Sequence, residues 1–335
     1  MTALYSTSDL LTAYDGTLAR RGRAPLTRVK YLHAVRTFLV ATGGSIAEIT
    51  SLDVEVFLSQ WEAAWEVQTG RRPRPATVRA RIAALRSFFD FAQRSALLSS
   101  SNPMEGVLTP ASEQRPNDFL RPIEDTALLA ADLPPQERLL IWLLRWTGLR
   151  VSEACAVRLQ DLDLTPGRES VVVRKSKTPA GVRTIPLVPV LVPELEQWLS
   201  LLTDRGVTSA QAALLATRTG SAFKPTYVWR LVKRAGWRAE VRPVACTCDS
   251  GRRTRHHRGC PRTTSGENVS AITPHTLRRT FGSDLLNRGL RLEVVSRLLG
   301  HSSTVVTERA YAELLGSTIR DELLSVLGGE RVLPS

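Results

Sequence analysis

Long apolar runs are missing from this 335-residue chain. A membrane-spanning helix needs about 18 or more apolar residues in a row, so we expect none here. The first residues also lack the basic segment and the apolar core of a secretion signal. We therefore expect a protein of the cytoplasm.

Cysteine and clustered carboxylates are also scarce. Four cysteines are too few to form a disulfide framework in a chain of this length. The nearest candidate for an acidic cluster, Asp161-Leu-Asp163, is interpreted as a turn at the end of a helix. Without grouped carboxylates to hold catalytic metal ions, a metal-dependent nuclease or transposase is disfavoured.

Lysine is rare, and arginine supplies most of the positive charge. The chain has 45 basic residues, of which only five are lysines, and its formal net charge is +13. The planar guanidinium group binds phosphate oxygens through parallel N–H groups. A basic chain of this kind favours a polyanionic partner, and nucleic acid is the best candidate.

Length and composition predict two folded domains. With 335 residues, 43% of them hydrophobic, the chain exceeds the usual size of one domain and can bury real cores. In residues 1–105 apolar residues recur at helical spacing, and one helix is predicted at about Ala76–Arg94. Residues 106–121 have the composition of a linker. Residues 122–335 form the predicted second domain.

Arginine groups mark the first domain as a candidate DNA-binding region. Asp53 is predicted to start one helix, and arginines lie before and within the next one. Such groups often form only a solvated helix face. In a chain this basic we expect them to face DNA, and the residues concerned are Arg71, Arg72, Arg74, Arg79 and Arg81.

The second domain combines helices with a short hairpin. Two segments rich in β-branched residues, Val171–Arg174 and Val182–Pro186, flank a turn and predict paired strands. Apolar residues at helical spacing predict helices on both sides of this hairpin. These helices are about Ile123–Ala131, Pro135–Thr147, Ser152–Ala156, Val192–Leu202, Thr226–Ala235, Thr276–Leu286 and Leu292–Leu299.

Short motifs in this domain carry chemistry suited to a phosphodiester. They are Thr-Gly-Leu-Arg150, His275-Thr-Leu-Arg278, Leu-Leu-Gly-His301 and, further on, Tyr311. Phosphoryl transfer without a metal ion needs fixed cations for the phosphate oxygens, groups that move protons, and a nucleophile. Arginine can supply the cations, histidine can move protons, and tyrosine can be the nucleophile.

In this order, on a basic two-part chain, the motifs resemble those of the tyrosine recombinase (phage integrase) family. The resemblance is strong from about Thr147 to Tyr311 and weaker over the helical first domain. It implies a mainly α fold with a small β-sheet or hairpin. Residues 1–105 would be a helical core-binding domain of SAM-like type, and residues 122–335 a mixed α+β catalytic domain.

The resemblance implies a role for each motif residue. Arg150 and Arg278 would clamp the scissile phosphate, and His275 would accept the proton of the tyrosine. His301 would donate a hydrogen bond to a phosphoryl oxygen, and Tyr311 would be the nucleophile. Tyr311 follows His301 by ten positions (311 − 301), where many relatives have nine, and we interpret the difference as a small loop adjustment.

In that family a lysine on the hairpin protonates the leaving 5′-oxygen. Lys177 matches the position better and Lys175 is the alternative, with phosphate binding left to the other lysine. Glu153, three residues after Arg150, would orient that arginine or brace the helix.

Two further segments stand out. An insert at about 237–272 carries Cys246, Cys248, His256 and Cys260, which could hold a structural zinc ion or could simply belong to a basic loop. By the resemblance, catalysis itself requires no cofactor. The tail, residues 312–335, has an apolar helical stripe that would pack on the chain's own core or on a neighbouring protomer.

The resemblance implies a site-specific recombinase that cleaves and rejoins double-stranded DNA through a 3′-phosphotyrosyl intermediate and a Holliday junction, without metal or ATP. Four protomers would assemble on two DNA sites, and the free protein would be a monomer or weak oligomer. A type IB topoisomerase and a DNA-binding relative without catalysis are the alternatives. The layout is Xer-like or transposon-type, which leaves a phage, transposon or chromosomal role open.

Overall fold

A computed structural model of the chain describes residues 5–43, 45–98, 101–111, 118–176, 179–244, 269–301, 303–308 and 311. These residues form two compact units, one within Met1–Gln114 and the other within Arg115–Ser335. Helices dominate both, and the strands in the described ranges are short and antiparallel, which confirms the predicted fold class. No helix in these ranges has the length and apolarity needed to cross a membrane.

The first unit is a helical bundle closed over aromatic side chains. Its helices are α1 (Thr7–Arg20), α2 (Pro25–Thr42), α3 (Ser51–Thr69) and α4 (Pro75–Arg94). Tyr14, Phe38, Phe88 and Phe89 are fully buried, and the rings of Phe38 and Phe89 meet edge-on with centroids 5.6 Å apart. Aromatic pairs in this geometry stabilise a core beyond the area that they bury.

Thr50, and not Asp53, caps helix α3. The Thr50 hydroxyl accepts a hydrogen bond from the Asp53 backbone N–H, and the Asp53 carboxylate accepts from the Thr50 backbone N–H at 2.8 Å. This capping box starts the helix at Ser51. The predicted start at Asp53 is wrong because Asp53 is the third helical residue, where its carboxylate completes the cap.

Helix α6 is the centre of the second unit. The helices of this unit are α5 (Pro122–Ala130), α6 (Pro135–Thr147), α7 (Val151–Ala154), α8 (Val192–Asp204), α9 (Pro225–Arg238), α10 (Pro274–Asn287) and α11 (Leu292–Leu299). In α6, the side chains of Leu139, Leu140, Ile141, Leu143 and Leu144 are at most 1% exposed. Neighbours therefore cover most of its circumference, and they include α5, α8, α9 and α10.

A buried arginine joins α6 to two of these neighbours. The Arg145 side chain is 4% exposed and pairs with Asp125 of α5 at 2.7 Å and with Asp284 of α10 at 3.1 Å. A buried charge is costly unless it is paired, so these contacts favour one arrangement of the three helices.

The C-terminal end of α6 approaches α10 closely. Gly148 ends the helix with a left-handed backbone, φ 60°, and Arg150 follows two residues later. A Cβ atom at Gly148 would lie 2.4 Å from the Phe281 ring on α10, so this approach requires glycine. The segment before Arg150 is thereby held against the helix that carries His275 and Arg278.

In the described ranges, short strands form two antiparallel sheets. The strands are β1 (Leu162–Asp163), β2 (Ser170–Val173), β3 (Arg183–Pro186), β4 (Pro243–Val244) and β5 (Val269–Ser270). In the first sheet, of order β1-β2-β3, Val171 pairs with Leu162 on one side and Ile185 on the other. In the second sheet β4 pairs with β5, and both strands lie within the predicted insert.

The segment Asp161-Leu-Asp163 leads into a strand. A 3₁₀ turn, Leu159–Asp161, precedes β1, and α7 has already ended at Ala154. The Asp161 carboxylate accepts from the Arg158 backbone N–H at 2.9 Å and also pairs with Arg174, which leaves it 3% exposed. Asp161 thus ends a short 3₁₀ helix, but the predicted turn is wrong for Leu162 and Asp163, which pair with the nearby strand β2.

Candidate active site

Arg150 precedes the short helix α7 and contacts two parts of the second unit. Its Nη1 donates to the Glu153 carboxylate at 2.6 Å, and its Nη2 donates to the carbonyl oxygen of Gly300 at 2.8 Å. Gly300 ends α11 and precedes His301. One guanidinium group therefore connects two motifs that lie 150 positions apart in the chain.

Glu153 is the buried acceptor that holds Arg150. Its side chain is 0% exposed and accepts from the Arg150 backbone N–H at 3.0 Å, from the Ser176 hydroxyl at 2.7 Å and from Arg183 at 3.2 Å. Burial alone raises the pKa of this carboxyl group, but hydrogen bonds from Ser176 and Arg150 and the charge of Arg183 lower it to about 2. Glu153 is therefore ionised at neutral pH.

Arg278 lies on α10, one turn after the capping residue Thr273. The residue is 4% exposed, and its two terminal nitrogens donate to the carbonyl oxygens of Gly148 and Leu299. Burial and the nearby charge of Arg150 lower the pKa of this guanidinium to about 9, so it still carries its proton at neutral pH. Arg278 thus joins the end of α6 to the end of α11.

Arginines supply donors to successive carbonyl groups at the end of α11. Helix ends leave their last carbonyl groups without intrahelical partners, and the partial negative charge there attracts cations. The pairs are Leu298 with Arg183, Leu299 with Arg278, and Gly300 with Arg150. The C-terminal end of α11 is therefore the point around which the candidate site is assembled.

His301 follows this helix end and is partly buried. Its Nδ1 lies 2.7 Å from the Thr307 hydroxyl oxygen. When Thr307 donates to Nδ1, the ring proton is on Nε2, which can then donate to a substrate oxygen. Burial, together with the charges of Arg278 and Arg150, lowers the pKa of His301 to about 4. The imidazole is therefore neutral at neutral pH.

His275 lies in the first turn of α10 and is exposed. Loss of hydration lowers its pKa, as do the charges of Arg278, Arg279 and Arg150, while Asp118 raises it. A neutral imidazole that solvent can reach is able to accept a proton.

Tyr311 is packed in an apolar cluster and is 2% exposed. The cluster includes Phe281 of α10 and Val295 and Leu299 of α11. A Cβ atom at Gly282 would lie 2.0 Å from the Tyr311 hydroxyl oxygen, so the hydroxyl group lies directly over this glycine. Burial raises the pKa of Tyr311 to about 12, although Arg278 acts in the opposite direction.

Arg183 and Ser176 are part of this arrangement but belong to none of the motifs. The sequence contained a signal for Arg183, which lies two positions before the buried Ile185 in β3. Residues at this spacing share one face of a strand, so an arginine is expected to point inwards with Ile185. Its partners could not be predicted, because Leu298 and Glu153 are distant in the chain.

Two groups of predicted residues fall wholly or partly outside the described residues. Lys177 lies outside the described residues, and Lys175 is exposed two residues after the end of β2. Cys246, Cys248, His256 and Cys260 also lie outside the described residues. Within the described part of the chain, no group of three or more metal-binding side chains was found.

The arginines predicted to face DNA lie in the first unit. Arg71, Arg72 and Arg74 precede or begin α4 and are exposed, whereas Arg79 is half-buried. Arg81 is also half-buried, with its guanidinium carbon 4.1 Å from the centroid of the Trp61 ring. Burial lowers the pKa of Arg81 to about 10. The three exposed arginines present their charge to solvent, and Arg72 also pairs with Glu66 at 3.3 Å.

Comparison with a family model and with known sequences finds relatives of this chain. Residues 119–316 match the model described as "Phage integrase family", a range that includes every motif residue of the candidate site. A tyrosine recombinase of Pseudothermotoga lettingae is 29% identical over 287 residues, which cover 84% of this chain and 85% of the relative. A tyrosine recombinase XerD of Lacticaseibacillus casei is 28% identical over 294 residues, which cover 86% and 88%.

Solved structures share the fold. The XerH site-specific recombinase, in a post-cleavage complex with a palindromic difH substrate, aligns with a TM-score of 0.66 at 18% identity. The alignment covers 97% of this chain and 85% of that one. At this identity the likeness concerns the arrangement of helices and strands alone.

Proposed function

The chain belongs to the phage integrase family, and we propose that it is a site-specific DNA recombinase whose nucleophile is Tyr311. The convergence of Arg150, Arg278 and His301 at the end of α11 is the observation that carries this proposal. Tyr311 packs on the same helix end, through Leu299. Cations, a neutral imidazole and a phenol thus all contact or adjoin the end of α11.

In the proposed cleavage step, the Tyr311 oxygen attacks the phosphorus of a DNA phosphodiester. A bond forms between these atoms, the bond from phosphorus to the 5′-oxygen breaks, and the protein is linked to the 3′-phosphate. His275 accepts the phenol proton, because its lowered pKa keeps the ring neutral. The raised pKa of Tyr311 makes such an acceptor necessary.

Arg150 and Arg278 stabilise the negative charge that develops on the phosphate oxygens. Each guanidinium has five N–H donors. Arg278 donates two of these hydrogen bonds to the carbonyl oxygens of Gly148 and Leu299. The contacts with α11 fix the direction of the remaining donors before DNA binds, so little reorganisation is needed during the reaction. His301 adds a hydrogen bond from Nε2.

A lysine of the β2–β3 hairpin protonates the leaving 5′-oxygen in this proposal. Lys177 is the first choice and Lys175 the alternative, as the sequence indicates. The hairpin is the right place for such a group, because Ser176 at its start donates to the same Glu153 carboxylate that holds Arg150.

Rejoining reverses this chemistry on a different strand. The 5′-hydroxyl of a partner duplex attacks the phosphotyrosine, a new phosphodiester forms, and Tyr311 leaves with a proton. Each step exchanges one phosphodiester for another, so we assign no role to ATP or to a catalytic metal. Exchange of both strand pairs passes through a Holliday junction and uses four protomers on two DNA sites. We propose that the protein meets its DNA substrate in the cytoplasm.

The test is covalent capture of DNA. The probe is the duplex that the wild-type protein enriches from a randomised library, rebuilt with a nick a few nucleotides 3′ of the cleaved phosphate so that the released fragment dissociates. We expect a protein–DNA adduct from the wild-type protein and from Tyr227→Phe, a matched control in α9. Tyr311→Phe should form none. An adduct in Tyr311→Phe would contradict the assignment.

A second measurement separates recombination from topoisomerase activity. Two labelled copies of the enriched duplex should yield exchanged strands and a four-way junction intermediate. Relaxation of a supercoiled plasmid that lacks this sequence, without any exchanged product, would favour the topoisomerase. Absence of any adduct from a folded wild-type protein that binds the duplex would favour a relative without catalysis.

A further inference from the structure

Arg183 joins separate parts of the candidate site through its three side-chain nitrogens. The side chain is 8% exposed. Nε donates to the Leu298 carbonyl oxygen at 2.6 Å, Nη1 to the Gly181 carbonyl oxygen at 2.7 Å, and Nη2 to the Glu153 carboxylate at 3.2 Å. These acceptors belong to the end of α11, to the β2–β3 hairpin and to α7.

Close backbone contacts show how tightly this guanidinium fits. A Cβ atom at Gly300 would lie 2.7 Å from Nη1 of Arg183 and 3.0 Å from the Cα atom of Gly181. The end of α11 therefore rests on the hairpin, with the guanidinium beside the contact. Ser176 and Gly181 lie on the two sides of the hairpin turn, and both are tied to Glu153, Ser176 directly and Gly181 through Arg183.

Arg183 raises the net positive charge of the groups around Glu153 and the end of α11. Arg150, Arg183 and Arg278 contribute three positive charges and Glu153 removes one, which leaves +2. A DNA diester carries one negative charge, which spreads over the oxygens of the phosphoryl group in the transition state. Without Arg183, the carboxylate would be balanced by Arg150, and one positive charge would remain.

We propose that Arg183 is a positioning residue of the cleavage reaction. It shares the charge of Glu153, so that Arg150 remains available to the scissile phosphate. This inference rests on the proposed function. Lysine is only a partial substitute, because an ammonium group keeps the charge but lacks the planar fork that reaches three fixed acceptors.

The test compares two substrates and three variants. The first substrate is the nicked duplex described above, and the second carries a methylphosphonate at the cleaved position. A methyl group in place of one phosphate oxygen removes the charge of the linkage, so its transition state needs one positive charge fewer. The variants are Arg183→Ala, Arg183→Lys and the control Arg288→Ala, which removes an exposed arginine of α10's C-terminal cap.

On the phosphate, Arg183→Ala should form the adduct about 10- to 100-fold more slowly, as is typical for loss of a group that orients catalytic residues. Its Kd for the duplex should be unchanged. Arg183→Lys should lie between Arg183→Ala and the wild-type protein. On the methylphosphonate, the ratio of wild-type to Arg183→Ala rates should fall towards one. Arg288→Ala should match the wild-type protein on both substrates.

Equal losses on the two substrates would show a general structural role and would overturn the inference, as would an unchanged rate on the phosphate. If Arg183→Ala does not fold, Arg183→Lys carries the same comparison of ratios with a smaller amplitude. A folded wild-type protein that forms no adduct contradicts the proposed function itself. If the wild-type protein forms the adduct and the Arg183 variants form it at the same rate, only the role of Arg183 is contradicted.

Discussion

At Gly282, on α10, a Cβ atom would lie 2.0 Å from the Tyr311 hydroxyl oxygen and 2.5 Å from its Cζ atom. Side-chain atoms do not approach one another so closely, so this position of Tyr311 depends on glycine. Phe281 and Leu299 cover the ring. At the scale of single residues, the missing side chain of Gly282 determines where the proposed nucleophile lies in the DNA-free chain.

Gly282→Ala should therefore destabilise the second unit. Replacing glycine by alanine inside a helix is by itself stabilising by about 0.5–1 kcal/mol, whereas overpacking costs about 1–3 kcal/mol. We expect the second effect to win, and urea denaturation measures the change in the free energy of unfolding. In a Tyr311→Ala background the same substitution should cost less. Equal costs in both backgrounds would show that the alanine clashes elsewhere.

His301 makes stability depend on pH. Its pKa is about 4 in the folded chain and ordinarily 6.5, so between these values the unfolded chain binds the proton more readily and protonation favours unfolding. The contribution is complete above about pH 6.5 and is lost as the pH falls towards about 4. The Tm of the wild-type protein minus that of His301→Gln should decrease across this window on acidification. A constant difference would contradict the assignment.

At the scale of elements, local signals predicted the bounds of two helices well. The predicted helices Pro135–Thr147 and Leu292–Leu299 coincide with α6 and α11, because apolar periodicity is reinforced by a proline near the start of α6 and a glycine after the end of each helix. The two-residue strands β1, β4 and β5 were not predicted, since two residues are too few to show the alternation of a strand. The motif residues could be identified from their local spacing, whereas the partners of Arg183 could not, because Leu298 and Glu153 are distant from it in the chain.

The strands β4 and β5 lie within the insert and bring together the residues that flank its segment 245–268. Val244 pairs with Val269, so the residues that flank 245–268 are neighbours in an antiparallel ladder. We expect that an Asn-Gly turn can replace residues 245–268, because this dipeptide closes a two-residue hairpin. The shortened chain should keep its Tm and its Tyr311 adduct. A drop in Tm would show that the insert packs on the second unit.

The zinc prediction can be tested on the same pair of proteins. The full chain, purified under reducing conditions, should contain one zinc ion, and the chain without residues 245–268 should contain none. Cys155→Ser is the matched control, because this cysteine lies outside the insert, in the segment after α7, and should leave the zinc content unchanged. A full chain without zinc would remove the metal site and leave a basic loop.

At the scale of the whole molecule, the net charge of +13 predicts DNA binding that weakens with salt. Joint replacement of Arg71, Arg72 and Arg74 by alanine should lower the slope of log Kd against log salt by about 2–3, since each phosphate contact contributes about 0.9. The control removes the same charge from the second unit, at Arg168, Arg205 and Arg288, which are all exposed. Equal reductions in both variants would assign the effect to total charge.

The arginines at the end of α11 also limit how this chain can change over generations. Each of Arg150, Arg183 and Arg278 partners a helix-end carbonyl group, and a buried carbonyl left without its donor costs about 1–3 kcal/mol. A descendant that bound DNA without cutting it would still lose stability with each of these arginines that it lost. The presence of these arginines in a distant relative therefore indicates that the fold is kept. The presence of the tyrosine is the better indicator of cleavage activity.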